Sequence, residues 1–202
     1  MSGCNRSSAH RQRLAYEAAR IMVSQDIRDF DKARRKAAER TGISDKRLWP
    51  SNGEIEEARL QQRRLFEGEK SDQELEILRE QALTAMRSLA EFTPRLVGPV
   101  LRGNADSTRG IRLHLFTDNP EEVVLALIDR GIPWKQGEAL LRYGGGKRNS
   151  HPLLTFLAGQ VPFELVVLPL GAMRNPPLDP ASERPERGAD ISEVVRLLSV
   201  AS

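Results

Sequence analysis

Cys4 is the only cysteine in this 202-residue sequence. No intramolecular disulfide can form and no Cys-based zinc site can be built, so a reducing compartment is expected. Aromatic residues make up only 5% of the chain, while 39% is hydrophobic and 29% charged, the balance of a globular domain. Long apolar runs are missing as well: none approaches the roughly 20 residues that cross a bilayer. The start, Met1-Ser2-Gly3-Cys4-Asn5-Arg6-Ser7-Ser8, lacks the apolar core of a signal peptide. No membrane partner and a cytoplasmic location are therefore expected. Of the three histidines, His10 lies in the expected flexible lead, and His151, before Pro152, has no nearby Ser or Cys nucleophile with a base and an orienting group, so a hydrolase triad has no support. A phosphate loop is missing too. Gly144-Gly145-Gly146-Lys147 is followed by Arg148 and an extended segment, where such a loop needs Lys-Ser or Lys-Thr opening a helix. It reads as a hairpin turn with a basic tip, Arg142, Lys147 and Arg148.

What is present is unevenly charged. Residues 1–70 hold 16 Lys and Arg against 11 Asp and Glu, and the remainder holds 15 against 17. The length suits one domain, or a compact domain with a helical extension. Residues 1–9 read as a disordered lead. Apolar Leu14, Ala18, Ile21 and Met22 then recur at helical spacing to about Ser24. A second helix is expected from Ile27 to Arg40, ended by Gly42. Its Arg28, Lys32, Arg35 and Lys36, spaced three and four apart, share a face that can neutralise phosphates. An exposed amphipathic helix accounts for the same pattern.

Pro50 breaks the run, and Ser51 or Asn52 caps a third helix expected to stop at Gly68. Ser71-Asp72-Gln73-Glu74 spells a capping box for a fourth, with Leu75, Leu78, Ala82, Leu83, Met86 and Leu89 on one face. The apolar run 96–101 reads as a strand meeting a Gly103-Asn104-Ala105 turn, and a second strand covers 111–116. Asn119-Pro120-Glu121-Glu122 opens a helix, the proline at its first position and the acids against its positive end. Short strands at 139–143, 153–157 and 161–168, separated by glycine turns, form an antiparallel meander. A proline-rich stretch follows, then a last helix over 191–200. Trp49 and Trp134 each adjoin a proline, as anchors that pack loops on a core do. The expected class is α+β: a mixed or antiparallel sheet of about five strands flanked by helices, with an all-α N-terminal extension. Residues 10–91 form that extension and pack on the sheet, 92–170 the core, and 171–202 the proline-rich segment with its helix.

The chemistry gathers on two strands. Alternation over 111–116 sets Ile111, Leu113 and Leu115 on one face and Arg112, His114 and Phe116 on the other. Glu164 is the one charge in the apolar run 161–168, and a buried carboxylate there needs a partner such as Arg112 or His114.

Over residues 80–170 the sequence resembles the nucleotidyltransferase-fold superfamily, the polymerase-β-like palm. In that family a small-residue turn follows one strand, the next strand carries two carboxylates, and a later strand a third. Gly103-Asn104 matches the turn and Glu164 the third acid, but Arg112 and His114 stand where the central pair is expected. Mg²⁺ prefers oxygen ligands and a first-shell arginine repels it, so the departure argues against two-metal transfer. The resemblance then implies a palm that binds a nucleotide or other phosphate-bearing ligand through Arg112 and His114, with Gly103 and Asn104 offering backbone amides. Two alternatives stand beside it. One is an active, Mg²⁺-dependent nucleotidyltransferase using Glu164 as its catalytic acid with Asp106 or Asp118. The other is a nucleic-acid-binding or protein-interaction adaptor acting through the basic N-terminal helices. An Arg–Glu or His–Glu pair that merely orders the sheet accounts for the same residues.

Overall fold

The computed structural model describes residues 3–25, 27, 29–103 and 110–201. Two compact units divide the chain: Met1–Gly68 with Pro180–Glu183, and Glu69–Asp179 with Arg184–Ser202.

The first unit is helical. Helix α1 spans Gly3–Ser24 and α2 spans Phe30–Thr41. Residues 1–9, expected to be a disordered lead, thus already contain the start of α1; a helix extends cheaply once nucleated, and Ala9, Arg11 and Gln12 favour it. The Asp29 carboxylate caps α2, accepting from the Asp31 and Lys32 amides at 2.8 and 3.1 Å, and Gly42 ends it at φ 72° as the sequence predicts. Small residues line the buried seam: Ala18, Ala19, Ala33, Ala37 and Ala38 join Leu14, Ile21, Met22 and Ile55 in one core. Alanines there let helix backbones approach closely.

Helix α3 runs over Asn52–Ser88. It opens on a reciprocal capping box in which the Ser51 hydroxyl accepts from the Glu54 amide (3.2 Å) and the Glu54 carboxylate from the Ser51 amide (2.7 Å). The break expected at Gly68, and the fresh start at Ser71, do not occur. One glycine costs a helix only about 1 kcal/mol, and the flanking Glu, Lys, Gln and Leu residues outweigh it.

The second unit is α+β. Its elements are β1 (Arg95–Val97), α4 (Pro99–Arg102), β2 (Ile111–Phe116), α5 (Pro120–Asp129), β3 (Lys135–Arg142), β4 (Arg148–Ala158), β5 (Val161–Leu168) and α6 (Ile191–Ala201). They form a mixed five-stranded sheet of order β1-β2-β5-β4-β3, in which β2 and β5 are parallel and the other pairs antiparallel. The expected meander is β3-β4-β5, with longer strands than the apolar runs alone mark out. The strand expected over 96–101 stops at Val97. Gly98 takes φ 75°, a conformation costly for any residue with a Cβ, and Pro99 starts α4 at its first position. At the entry to β2, Gly110 lies so close to β5 that an added Cβ would sit 2.0 Å from the Pro162 carbonyl oxygen.

One face of the sheet is apolar. Ile111, Leu113, Leu115, Leu154, Phe163, Leu165 and Val167 pack with Leu78 and Met86 of α3, Leu89 just beyond its end, Val123 and Leu127 of α5, and Val194 of α6. The second half of α3 packs on the sheet, and α1, α2 and the start of α3 share the core described above. The opposite face has a smaller apolar cluster, Phe116, Val166, Leu168 and Ala172, beside a row of polar residues. Among the described residues no helix is long and apolar enough to cross a membrane.

Candidate functional site

Strands β2 and β5 run parallel with Arg112 opposite Glu164 and His114 opposite Val166, so all three candidate side chains share the face away from α3, α5 and α6. The Arg112 guanidinium donates from Nε to Glu164 Oε2 at 2.7 Å and from Nη2 to the same oxygen. The side chains are 34% and 16% exposed, so the pair borders solvent.

His114, two residues along, lies in a different environment. It is 3% exposed, and burial, reinforced by the charges of Arg112 and His151, lowers its pKa from 6.5 to about 3. The imidazole is neutral at physiological pH. The expected pairing of two cations on β2 reduces to one, because a full charge on His114 would have no solvent to stabilise it.

His151 comes from β4, where it is opposite Ala139 of β3. Its Nε2 lies 2.8 Å from the Tyr143 hydroxyl, and both side chains are buried. Burial lowers the His151 pKa and raises that of Tyr143, so both stay neutral near pH 7.

A second charged group lies beside the first. Arg102, the last residue of α4, donates to Asp179 and, at 3.1 Å, to Glu186. Glu186 also accepts from the Gly98 amide at 2.9 Å; burial pushes its carboxyl pKa up, against the opposing pull of that hydrogen bond. Asp179 and Glu186 belong to the proline-rich segment, which is held by the Leu96–Ala189 and Leu178–Pro185 bridges and by the Leu178 amide donating to the Arg142 carbonyl (2.7 Å). Sequence reading missed Arg102, Asp179 and Glu186. Nothing periodic marks them, since they are brought together by chain segments 77 and 84 residues apart.

The remaining expected residues lie elsewhere. Gly103 ends α4 at φ 77°, and its amide is used in closing that helix on the Pro99 and Val100 carbonyls. Asn104, Asp106 and Arg28 lie outside the described residues. Asp118 accepts from the Leu170 amide at 3.0 Å and so ties the end of β2 to the turn after β5. On α2, in the first unit, Lys32 and Arg35 are exposed; Arg35 donates to the Asp31 carbonyl and Lys36 to the Gln25 side chain. Gly144–Gly146 is a short turn joining β3 to β4, as the hairpin reading expects. Among the described residues, no three or more His, Cys, Asp or Glu side chains are grouped to hold a metal ion.

Chemically, the face offers a solvent-bordering guanidinium held by one carboxylate, a neutral imidazole and a buried Tyr–His hydrogen bond. No known family model matches this chain, and no curated protein matches it.

Proposed function

We propose that the second unit is a nucleotidyltransferase-like palm that binds a nucleotide or other phosphate-bearing ligand at Arg112, without two-metal catalysis. The observation that carries this reading is the Arg112–Glu164 pair at the solvent border. Its guanidinium fork matches a phosphate as well as it matches a carboxylate, and a dianion competes for it. The position on β2 where the palm resemblance calls for a metal-binding acid is thereby occupied by a fixed positive charge, which repels a divalent cation. His114, being neutral, contributes hydrogen bonding rather than charge, and Glu164 acts as the gate on Arg112.

Melting shifts of the full chain against a panel of nucleotides, with and without Mg²⁺, test this. Stabilisation without Mg²⁺ is expected. Arg112→Ala abolishes it, and Glu164→Gln strengthens it by releasing the guanidinium. A shift that requires Mg²⁺ and disappears in Glu164→Gln would support an active transferase instead, and no shift with any nucleotide would rule out ligand binding at this face.

A second reading rests on α2, where Lys32 and Arg35 are exposed and Lys36 bonds only a neutral glutamine among the described residues. The basic stripe then binds nucleic acid through phosphates. Affinity would fall steeply with salt, and reversing the charge at all three positions would flatten that dependence.

A further inference from the structure

A groove of about 620 Å³ opens between α3, α4 and α6, lined by Arg79, Leu101, Gly188, Ala189, Glu193, Arg196 and Leu197. Its two arginines differ from three others of this unit. Arg112, Arg102 and Arg130 each have a carboxylate partner. Arg79 is half-buried and its one hydrogen bond to a described residue is a 3.4 Å contact from Nε to the Val100 carbonyl. Its terminal amino groups have no acceptor among the described residues, and burial, with no opposing charge, lowers its pKa. Arg196 of α6 lines the same groove, is exposed, and has no carboxylate partner among the described residues. Glu193, the one acid on the wall, is occupied: it accepts from the Asp190 amide at 2.8 Å and lies 3.7 Å from Arg95.

A guanidinium drawn partly out of water without a counter-charge is an unfavourable arrangement that an anion relieves. The walls around it are Leu101, Ala189 and Leu197, which offer contact area to carbon rather than to water. The volume lies in the range of small-molecule pockets. We infer that this groove binds a small organic anion, a single phosphate or carboxylate head on a short apolar body, with the head held between Arg79 and Arg196. The site shares no residue with the Arg112 face and does not depend on that face having a ligand.

Calorimetric titration of the full chain with hexyl phosphate, hexanoate, inorganic phosphate and hexanol tests it. At least one of the two amphiphilic anions is expected to fill one Arg196-dependent site per chain, and whichever fills it more tightly identifies the head group. Inorganic phosphate, lacking the body, and hexanol, lacking the charge, should each bind roughly tenfold more weakly or worse. Arg196→Gln, a surface change, should weaken the anion about tenfold, as should Arg79→Gln if it folds. Arg112→Gln should leave the component of binding that Arg196→Gln weakens unchanged, which separates this site from the palm face. The inference is overturned if neither amphiphilic anion binds by 10 mM (on the order of a 3 kcal/mol interaction), if Arg196→Gln binds like the parent, or if Arg112→Gln removes the component that Arg196→Gln weakens.

Discussion

The two faces of the sheet are made by the same strands and solve opposite problems. On β2, Ile111, Leu113 and Leu115 enter a dry core against α3, α5 and α6, whereas Arg112 and His114, one residue out of phase, enter a face where charge and burial compete. The first face is stabilised by area removed from water, which needs no particular partner. The second depends on pairing: Arg112 with Glu164, Arg102 with Asp179 and Glu186, Tyr143 with His151. Substitutions on the first face should therefore act through stability alone, while those on the second should also change how the protein responds to pH and to anions.

The largest effect should come from the apolar face. Leu113 is fully buried, and Leu113→Ala should destabilise by about 2–5 kcal/mol in urea unfolding, with no change in the proposed nucleotide response per folded molecule. The next break comes with acid. The folded state holds His114 with its pKa near 3, below the 6.5 of an unperturbed histidine, so the unfolded chain binds the proton first. Stability from this group is full above about pH 6.5 and is lost as pH falls toward 3. Between pH 7 and pH 4 the loss should be on the order of 3 kcal/mol. His114→Gln, which cannot titrate, should flatten that slope in urea melts run at each pH, whereas Leu113→Ala should lower the curve without flattening it.

Smaller effects sharpen the comparison further. A double-mutant cycle on Arg112→Ala and Glu164→Ala should give a coupling of about 1 kcal/mol, because the pair borders solvent and is partly screened. A coupling near zero would leave nothing for a competing anion to displace at that position. Tyr143→Phe should cost about 0.5–1.5 kcal/mol, the net value of one hydrogen bond, since the ring stays in place beside His151. A greater loss would mean that the His151 imidazole is left without a partner in a dry site.

Much of the second unit was legible along the chain. Alternation on 111–116 separates the two faces correctly, the glycine turns mark the meander, and Asn119-Pro120 marks the start of α5, although Asn119 acts through its carbonyl, which accepts from the Glu122 amide at 3.1 Å, rather than through its side chain. The partner of Glu164 was narrowed to Arg112 or His114 from charge and alternation alone. Less legible were the ends of elements. Gly68 looked like a terminator and is a helical interior, while Gly98-Pro99 looked like the middle of a strand and is the turn into a helix. Glycine permits either outcome, and the decision falls to the packing of its neighbours.

The sequence by itself determined the class of the fold and which residues of each strand share a face, because side-chain direction in a strand repeats every two residues whatever surrounds it. Only the tertiary structure decided that β2 and β5 are adjacent and parallel, that Arg112 rather than His114 takes the Glu164 carboxylate, and that the proline-rich segment brings Asp179 and Glu186 to Arg102. It also decided the charge of His114, since a pKa is set by how much water and which charges surround the ring. Those are properties of neighbours distant in the chain, and local pattern does not encode them.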